Sequence, residues 1–196
     1  MTTKYKLCYN AVKMFTEYGY DNISMRDLAK SVGITNPSIY NHYASKKDIL
    51  KHMYQCYSIE CKKVLPDVNE LLKLAETMNP HELLMFMQYR VPNNDDGIMD
   101  NILVIAARRF SFDPDSMQFI IDNVITPTTA LTVPVITKLI ELDKIEPIDV
   151  KTFNVLLLHY CLSSIILNAT SMKMDYETWL NGLKFIHDSC IKIKNK

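Results

Sequence analysis

The chain has 196 residues, 48% of them hydrophobic, with only 4 glycines and a formal net charge of zero. That composition excludes a disordered or collagen-like chain and suits a helical globular protein, with room for a small module beside a larger one. The zero hides an asymmetry. Residues 1–50 carry seven Lys/Arg against four acids, and residues 51–196 carry 15 against 18, so a basic head on an acidic body points to an anionic partner for the head.

The opening residues, MTTKYKLCYNAVKM, hold no long apolar run, so no signal peptide is expected. The most apolar stretch, FNVLLLHYCLSSIILNA at 153–169, contains His159, Ser163 and Ser164; it is short and polar for a membrane span and reads as a helix buried on most sides. Five cysteines, an odd count without an export signal, point to reduced thiols and a cytoplasmic protein that needs no membrane.

The elements read as helical throughout. Residues 4–18 place Leu7, Cys8, Ala11, Val12 and Phe15 on one amphipathic stripe, stopped by Gly19. Ser24-x-x-Asp27 is a capping-box pattern opening a helix over 24–33, with Met25, Leu28, Ala29 and Val32 as its inner face and Gly33 as its left-handed end. A short helix restarts from Thr35 to Tyr43, and Ser45-x-x-Asp48 opens a longer one running to about Val64 and stopped by Pro66. Further helices are expected at 67–78, 80–90, 98–112, 115–143 (bent or broken near Pro127 and Pro134), 148–170 with Pro147 suiting its first turn, and 175–194. The segments 91–97 and 112–115 read as loops, and neither strand alternation of length nor an internal repeat is found.

Two short helices joined by Val32-Gly33-Ile34-Thr35 make a helix-turn-helix, whose second helix can enter a DNA major groove. With Ile39 at zero and about 100° per residue, Tyr43 falls near 40° and His42 near 300°, an inward side. Tyr40, Pro37, Asn41 and Ser38 fall at about 100°, 160°, 200° and 260°, an outward side. These outward groups are small, amide or phenolic, able to meet base edges or phosphates, and Pro37 costs nothing in a first turn. Lys46 and Lys47, in the first turn of the next helix, oppose its dipole at roughly a few tenths of a kcal/mol, a penalty that a bound phosphate would remove. Lys46 is therefore the expected clamp on a nucleic-acid backbone.

The block from Leu7 to Leu50 resembles the DNA-binding head of TetR-family transcriptional regulators. The matching features are Ala11, Phe15 and Gly19-Tyr20; Leu28-Ala29; Val32-Gly33-Ile34-Thr35; Ile39-Tyr40; His42-Tyr43; Ser45-Lys46; and Ile49-Leu50. They lie in register over about a quarter of the chain. The resemblance implies an all-α protein with an N-terminal three-helix helix-turn-helix head (1–50) and a C-terminal helical effector-binding and dimerisation domain (51–196). It further implies a homodimer on double-stranded operator DNA, most simply a repressor released by a small-molecule effector. By position it puts recognition on Asn36, Pro37, Ser38 and Asn41, with Thr35 opening their helix, and backbone contacts on Ser24, Tyr40, His42 and Lys46. Many relatives carry Lys-Gly or similar where this chain has Asn36-Pro37, so base preference does not carry over. The arm before the first helix is only about three residues, too short for a long minor-groove contact.

In the body, methionines and aromatics among helices 80–143 offer an adaptable apolar lining for a small molecule, with Met87, Arg90, Met99, Leu103, Phe110, Met117 and Ile120 as candidates. Ordinary core packing is the alternative for each, and Arg90, Arg108 and Arg109 can equally pair with acids such as Asp100 and Asp113. Helix 148–170 is apolar nearly all round, and helix 175–194 shows Tyr176, Trp179, Leu180, Leu183, Ile186, His187 and Cys190 on one stripe; two such helices from each of two copies would form a four-helix interface. His52 and Cys56 lie four apart with Cys61 beyond, short of a complete metal or redox site, so no metal and no cofactor are expected. Catalytic loops and nucleophile motifs are missing, which argues against an enzyme. The competing reading is a co-regulator that keeps this fold and uses the exposed short helix to bind another protein.

Overall fold

The computed structural model describes residues 2–88, 97–168, 170 and 174–194. Eleven α-helices follow among them: α1 (Thr3–Tyr18), α2 (Met25–Ser31), α3 (Asn36–Ile39), α4 (Lys46–Val64), α5 (Val68–Thr77), α6 (Pro80–Gln88), α7 (Ile98–Arg109), α8 (Pro114–Ile120), α9 (Thr126–Glu141), α10 (Val150–Asn168) and α11 (Tyr176–Cys190). The all-α architecture holds, with one isolated bridge between Ile145 and Ile193 as the extended pairing among the described residues. Two compact units result: Met1–Lys63 with Pro92–Ile120, and Val64–Val91 with Ile121–Lys196. Residue 50, where the sequence placed a functional boundary, lies inside α4.

The first unit contains α1–α4, α7 and α8. On α1, Leu7, Ala11, Val12 and Phe15 are at most 1% exposed, the stripe read from their spacing. Gly19 stops the helix at φ +86° and donates its N–H to the Phe15 carbonyl. At α2 the capping box forms in both directions: Asp27 N–H donates to Ser24 Oγ at 3.2 Å and Ser24 N–H donates to Asp27 Oδ2 at 2.9 Å. Gly33, at φ +74°, ends it in a Schellman-type turn in which Ile34 N–H reaches back to the Ala29 carbonyl.

The helix expected over 35–43 is shorter than its sequence pattern. It occupies Asn36–Ile39, and the chain then tightens as Tyr40, Asn41 and His42 donate N–H groups to the carbonyls of Pro37, Ser38 and Ile39, each three residues back. Thr35 caps no backbone donor; its hydroxyl bonds that of Ser38 at 2.7 Å. Ser45 caps α4 as expected, accepting from Asp48 N–H at 3.1 Å. α8 is fastened to α4 by Tyr54, whose ring stacks on Phe119 at 4.2 Å and whose phenol bonds Ser116 Oγ at 2.8 Å, while Ser116 donates in turn to the Asp113 carboxylate.

The second unit has its core in Leu71, Ala75, Leu83, Leu84, Val135, Ile136, Leu139, Ile145 and Phe153. α5 packs on α9, which also meets α10, and α10 meets α11. The irregularity expected near Pro127 is a π-helical turn at Ile121–Ile125: a proline ring clashes with the carbonyl four residues back, here Asn123, and a wider turn relieves it. Pro134 sits within α9. Pro147 is not in the first turn of α10; the helix begins at Val150 because Asp149 accepts the N–H groups of Lys151 and Thr152. α11 ends at Cys190, not 194, since Ile191 turns extended and is buried, and the Ile193 segment pairs with the Ile145 segment through Glu146 N–H to Lys192 O and Lys194 N–H to Lys144 O. Burial of two β-branched side chains outweighs another helical turn.

α10 and α11 meet closely at Gly182. A Cβ there would lie 2.1 Å from the Tyr160 hydroxyl, which donates to the Trp179 carbonyl at 2.7 Å. Val155, Leu156 and Ile166 of α10 are exposed within the chain, as are Tyr176 and Phe185 of α11. The runs Pro114–Glu141 and Val150–Asn168 are long and apolar enough to cross a membrane by length and composition. His159 is exposed and bonds the Val155 carbonyl, and His187 is buried with neither ring nitrogen hydrogen-bonded among the described residues.

Candidate nucleic-acid interface

The turn at Gly33 and the short α3 present one face outward. Thr35, Asn36, Pro37, Tyr40 and Asn41 are exposed, Ser38 is half-buried, Ile39 is fully buried and Tyr43 nearly so, the division that helical rotation predicts. Tyr40 is 52% exposed, so its phenol is available to a partner. His42 is half-buried. Beside α3 an open depression is lined by Arg26, Asp27, Lys30, Gly33, Ile34 and Asn36. Its two cations were absent from the sequence candidates, although their four-residue spacing on α2 puts them on one face.

Two expected backbone contacts are already engaged within the chain. Ser24 spends both its donors on Asp27, Oγ at 2.5 Å and the backbone N–H at 2.9 Å, and these bonds hold the Asp27 carboxyl below its ordinary pKa. Lys46 Nζ donates to the Tyr20 carbonyl at 2.6 Å and the Ile23 carbonyl at 2.8 Å, and lies 4.3 Å from the Tyr20 ring centre. The compensation that the sequence assigned to a phosphate thus comes from two carbonyls and a π face. Burial lowers the Lys46 pKa, with Asp21 opposing that shift. Arg109 shares the Tyr20 ring at 4.0 Å and pairs with Asp21 and Asp113. Lys47, the other cation of the pair, meets Asp115 at 2.9 Å.

The effector candidates fall in both units. Met99, Leu103 and Ile120 are buried in the first unit, where Phe110 and Met117 are substantially exposed. Met87 belongs to the core of the second unit, and Arg90 lies outside the described residues. His52, Cys56 and Cys61 do not converge: Cys61 is buried next to Tyr57, and among the described residues no three metal-ligating side chains gather.

The model of a family described as "Bacterial regulatory proteins, tetR family" matches residues 10–53. IcaR of Staphylococcus aureus (strain Newman), named as the HTH-type negative transcriptional regulator of the biofilm operon icaADBC, is 43% identical over 53 residues, 27% of this chain and 28% of that protein. The Staphylococcus epidermidis protein of the same name is 39% identical over 56 residues, 28% of this chain and 30% of that one. The chain therefore matches less than a third of the length of these relatives.

Solved structures align over nearly the whole chain. The ketosteroid transcriptional regulator KstR2 of Mycobacterium tuberculosis superposes with a TM-score of 0.67 at 19% identity, covering 100% of this chain and 96% of that one. The TetR-family regulator PfmR of Thermus thermophilus gives 0.63 at 19% identity, covering 100% and 99%. A Saccharomonospora viridis regulator solved in complex with choline gives 0.65 at 15% identity, covering 98% of each chain. Residues 10–53 of this chain thus match the TetR-family model, and the chain as a whole has the all-helical fold of solved TetR-family regulators.

Proposed function

We propose that the protein is a homodimeric, sequence-specific DNA-binding regulator, acting most simply as a repressor. The observation that carries this reading is the exposed face Asn36, Pro37, Tyr40 and Asn41, backed by buried Ile39 and Tyr43 and flanked by the cations Arg26 and Lys30. Asn36 and Asn41 supply paired donors and acceptors for base edges, Pro37 an apolar contact for a thymine methyl, and Tyr40 a phenol for phosphate. Arg26 and Lys30 take the sequence-independent backbone role. Lys46 acts one step behind them, holding the α1–α2 loop to the start of α4. Repression is the sense in which the IcaR relatives are named.

One short helix makes few contacts, so two heads on half-sites about one DNA turn apart are needed for affinity and selectivity. The exposed Val155, Leu156 and Ile166 on α10 and Phe185 on α11 supply an apolar surface for a second copy. A small-molecule effector would release DNA by binding more tightly to an arrangement whose heads no longer match the half-sites; the choline complex of a protein of this fold is a precedent for small-molecule binding.

The test is a gel-shift titration with a duplex from the gene's own promoter region against a random duplex. Retardation selective for the promoter, weakening steeply with salt, supports the reading; equal or absent retardation opposes it. Asn41→Ala is expected to change sequence preference, and Arg26→Ala to weaken all duplexes alike.

A further inference from the structure

A hydrogen-bonded line of side chains runs through the head behind the exposed face. The Tyr43 phenol donates to the Lys4 carbonyl at 3.2 Å and meets His52 Nδ1 at 2.6 Å. The other ring nitrogen of His52, Nε2, lies 3.6 Å from Cys56 Sγ, one turn further along α4. The Lys4 carbonyl only accepts, so the phenol proton points there when all three contacts are hydrogen bonds. His52 Nδ1 then carries a proton and donates it to the Tyr43 oxygen, which leaves Nε2 with its lone pair facing the thiol. Moving the thiol proton to Nε2 breaks none of these bonds, since an imidazolium donates from both nitrogens. Cys56 therefore has a base within reach, and that base is oriented by a third group, the arrangement that activates a nucleophile.

We propose that Cys56 is a covalent modification site for small electrophiles of the α,β-unsaturated carbonyl class, and that the adduct weakens DNA binding. The second clause rests on the DNA-binding function proposed above. Burial, together with the Lys4 ammonium that lies 5.3 Å from the Tyr43 ring centre, holds the His52 pKa below its ordinary value of 6.5, so the ring is a neutral base at physiological pH. Cys56 and His52 are half-buried and open to a small molecule, whereas Cys8 and Cys61 are buried.

The Cys56 thiol passes its proton to His52 Nε2, and the thiolate attacks the β carbon of the electrophile. The S–C bond forms as the C=C π pair moves onto the α carbon as an enolate, and that carbon takes the proton back from His52. Thiol and electrophile become one thioether; nothing is oxidised or reduced, and no further reactant is consumed. His52 serves as base and then as acid within one addition, so the ring ends as it began. The added group sits beside the His52 ring, whose centre is 5.6 Å from that of Tyr43. Tyr43 is 4% exposed, and its N–H bonds the carbonyl of fully buried Ile39 at 3.1 Å. A close-packed interior has little slack for the extra atoms, so the displacement falls on the residues that back the exposed face of α3.

The experiment treats the reduced full-length protein with a few equivalents of methyl vinyl ketone, follows each cysteine over time by peptide mass spectrometry, and titrates treated and untreated protein against the promoter duplex. Cys161 and Cys190 serve as internal references, being half-buried without a hydrogen-bonded imidazole among the described residues. The expected result is alkylation of Cys56 at least about tenfold faster than of either reference, and an affinity at least about tenfold lower for the adduct. His52→Gln should bring the Cys56 rate down to that of the references, and Tyr43→Phe, which takes away the oxygen that orients the ring, should fall between the two. Cys56→Ser should bind the duplex as the wild type does and be indifferent to the ketone. A Cys56 rate no higher than the references, or one unchanged in His52→Gln, overturns the activated thiol; an adduct with unchanged affinity overturns its regulatory role. If the untreated protein binds no duplex, the function proposed above fails, and the rates still decide the thiol chemistry.

Discussion

Replacing Lys46 with methionine separates a structural role from a phosphate contact. The change keeps most of the aliphatic stem and removes the ammonium that serves the carbonyls of Tyr20 and Ile23 and faces the Tyr20 ring. A hydrogen bond from a charged donor contributes about 1.5–3 kcal/mol, and a cation over an exposed ring about 0.5–1 kcal/mol. The site is only part-buried, so water recovers a good share of what the carbonyls lose, and the expected net loss is about 2 kcal/mol. In a chain of this size that lowers Tm by roughly 4–8 °C. Thermal unfolding followed by circular dichroism reads the shift, and a DNA titration at several salt concentrations reads the second role. The account predicts a clear fall in Tm, with any affinity loss arising through a loosened head. A variant that melts with the wild type, yet loses about one unit of slope in log affinity against log salt, would refute the reasoning and make Lys46 a phosphate clamp.

Gly182→Ala places a methyl group against Tyr160 and forces its ring off the Trp179 carbonyl, which is expected to cost about 1–3 kcal/mol in denaturant unfolding, and Tyr160→Leu in the same background should relieve the clash. Ser116→Ala leaves the buried Tyr54 phenol and Asp113 carboxylate short of a partner, an expected loss of about 1–3 kcal/mol measurable by urea denaturation; Tyr54→Phe with Ser116→Ala should lose less than the sum of the singles. His187 has its folded-state pKa pushed down to about 4 by burial, from an ordinary value of 6.5. The unfolded chain binds the extra proton first, so stability is complete above pH 6.5 and falls as pH drops toward 4, by about 3 kcal/mol for this residue. Denaturation midpoints from pH 7 to pH 4 check this, and His187→Leu should flatten the dependence.

What was legible in the sequence was local. The capping box at Ser24 and Asp27, the Ser45 cap, the left-handed Gly33 and the buried stripe of α1 each depend on residues within four positions, so their spacing shows them directly. The exposed face of α3 followed from the same periodicity, although the helix itself stops after one turn because the next N–H groups reach three residues back rather than four. What was hidden depends on distant partners. Nothing near Lys46 indicates that carbonyls 23 and 26 residues upstream take its protons. The Asp149 cap was masked by the more conspicuous Pro147, and the early end of α11 requires the extended pairing of Ile193 with Ile145. Arg26 and Lys30 join the outward face only once the turn at Gly33 sets α2 beside Asn36.

The most direct measurement on the central claim is selection of bound sequences from a random duplex pool, carried out in parallel with wild-type protein and with the Asn36→Ala, Asn41→Ala double variant. The account predicts that wild type enriches a two-fold symmetric sequence with half-sites about one turn apart, and that the double variant loses preference at defined positions of each half-site while keeping non-specific affinity. Enrichment of no sequence by wild type, or of the same sequence by both proteins, would contradict it.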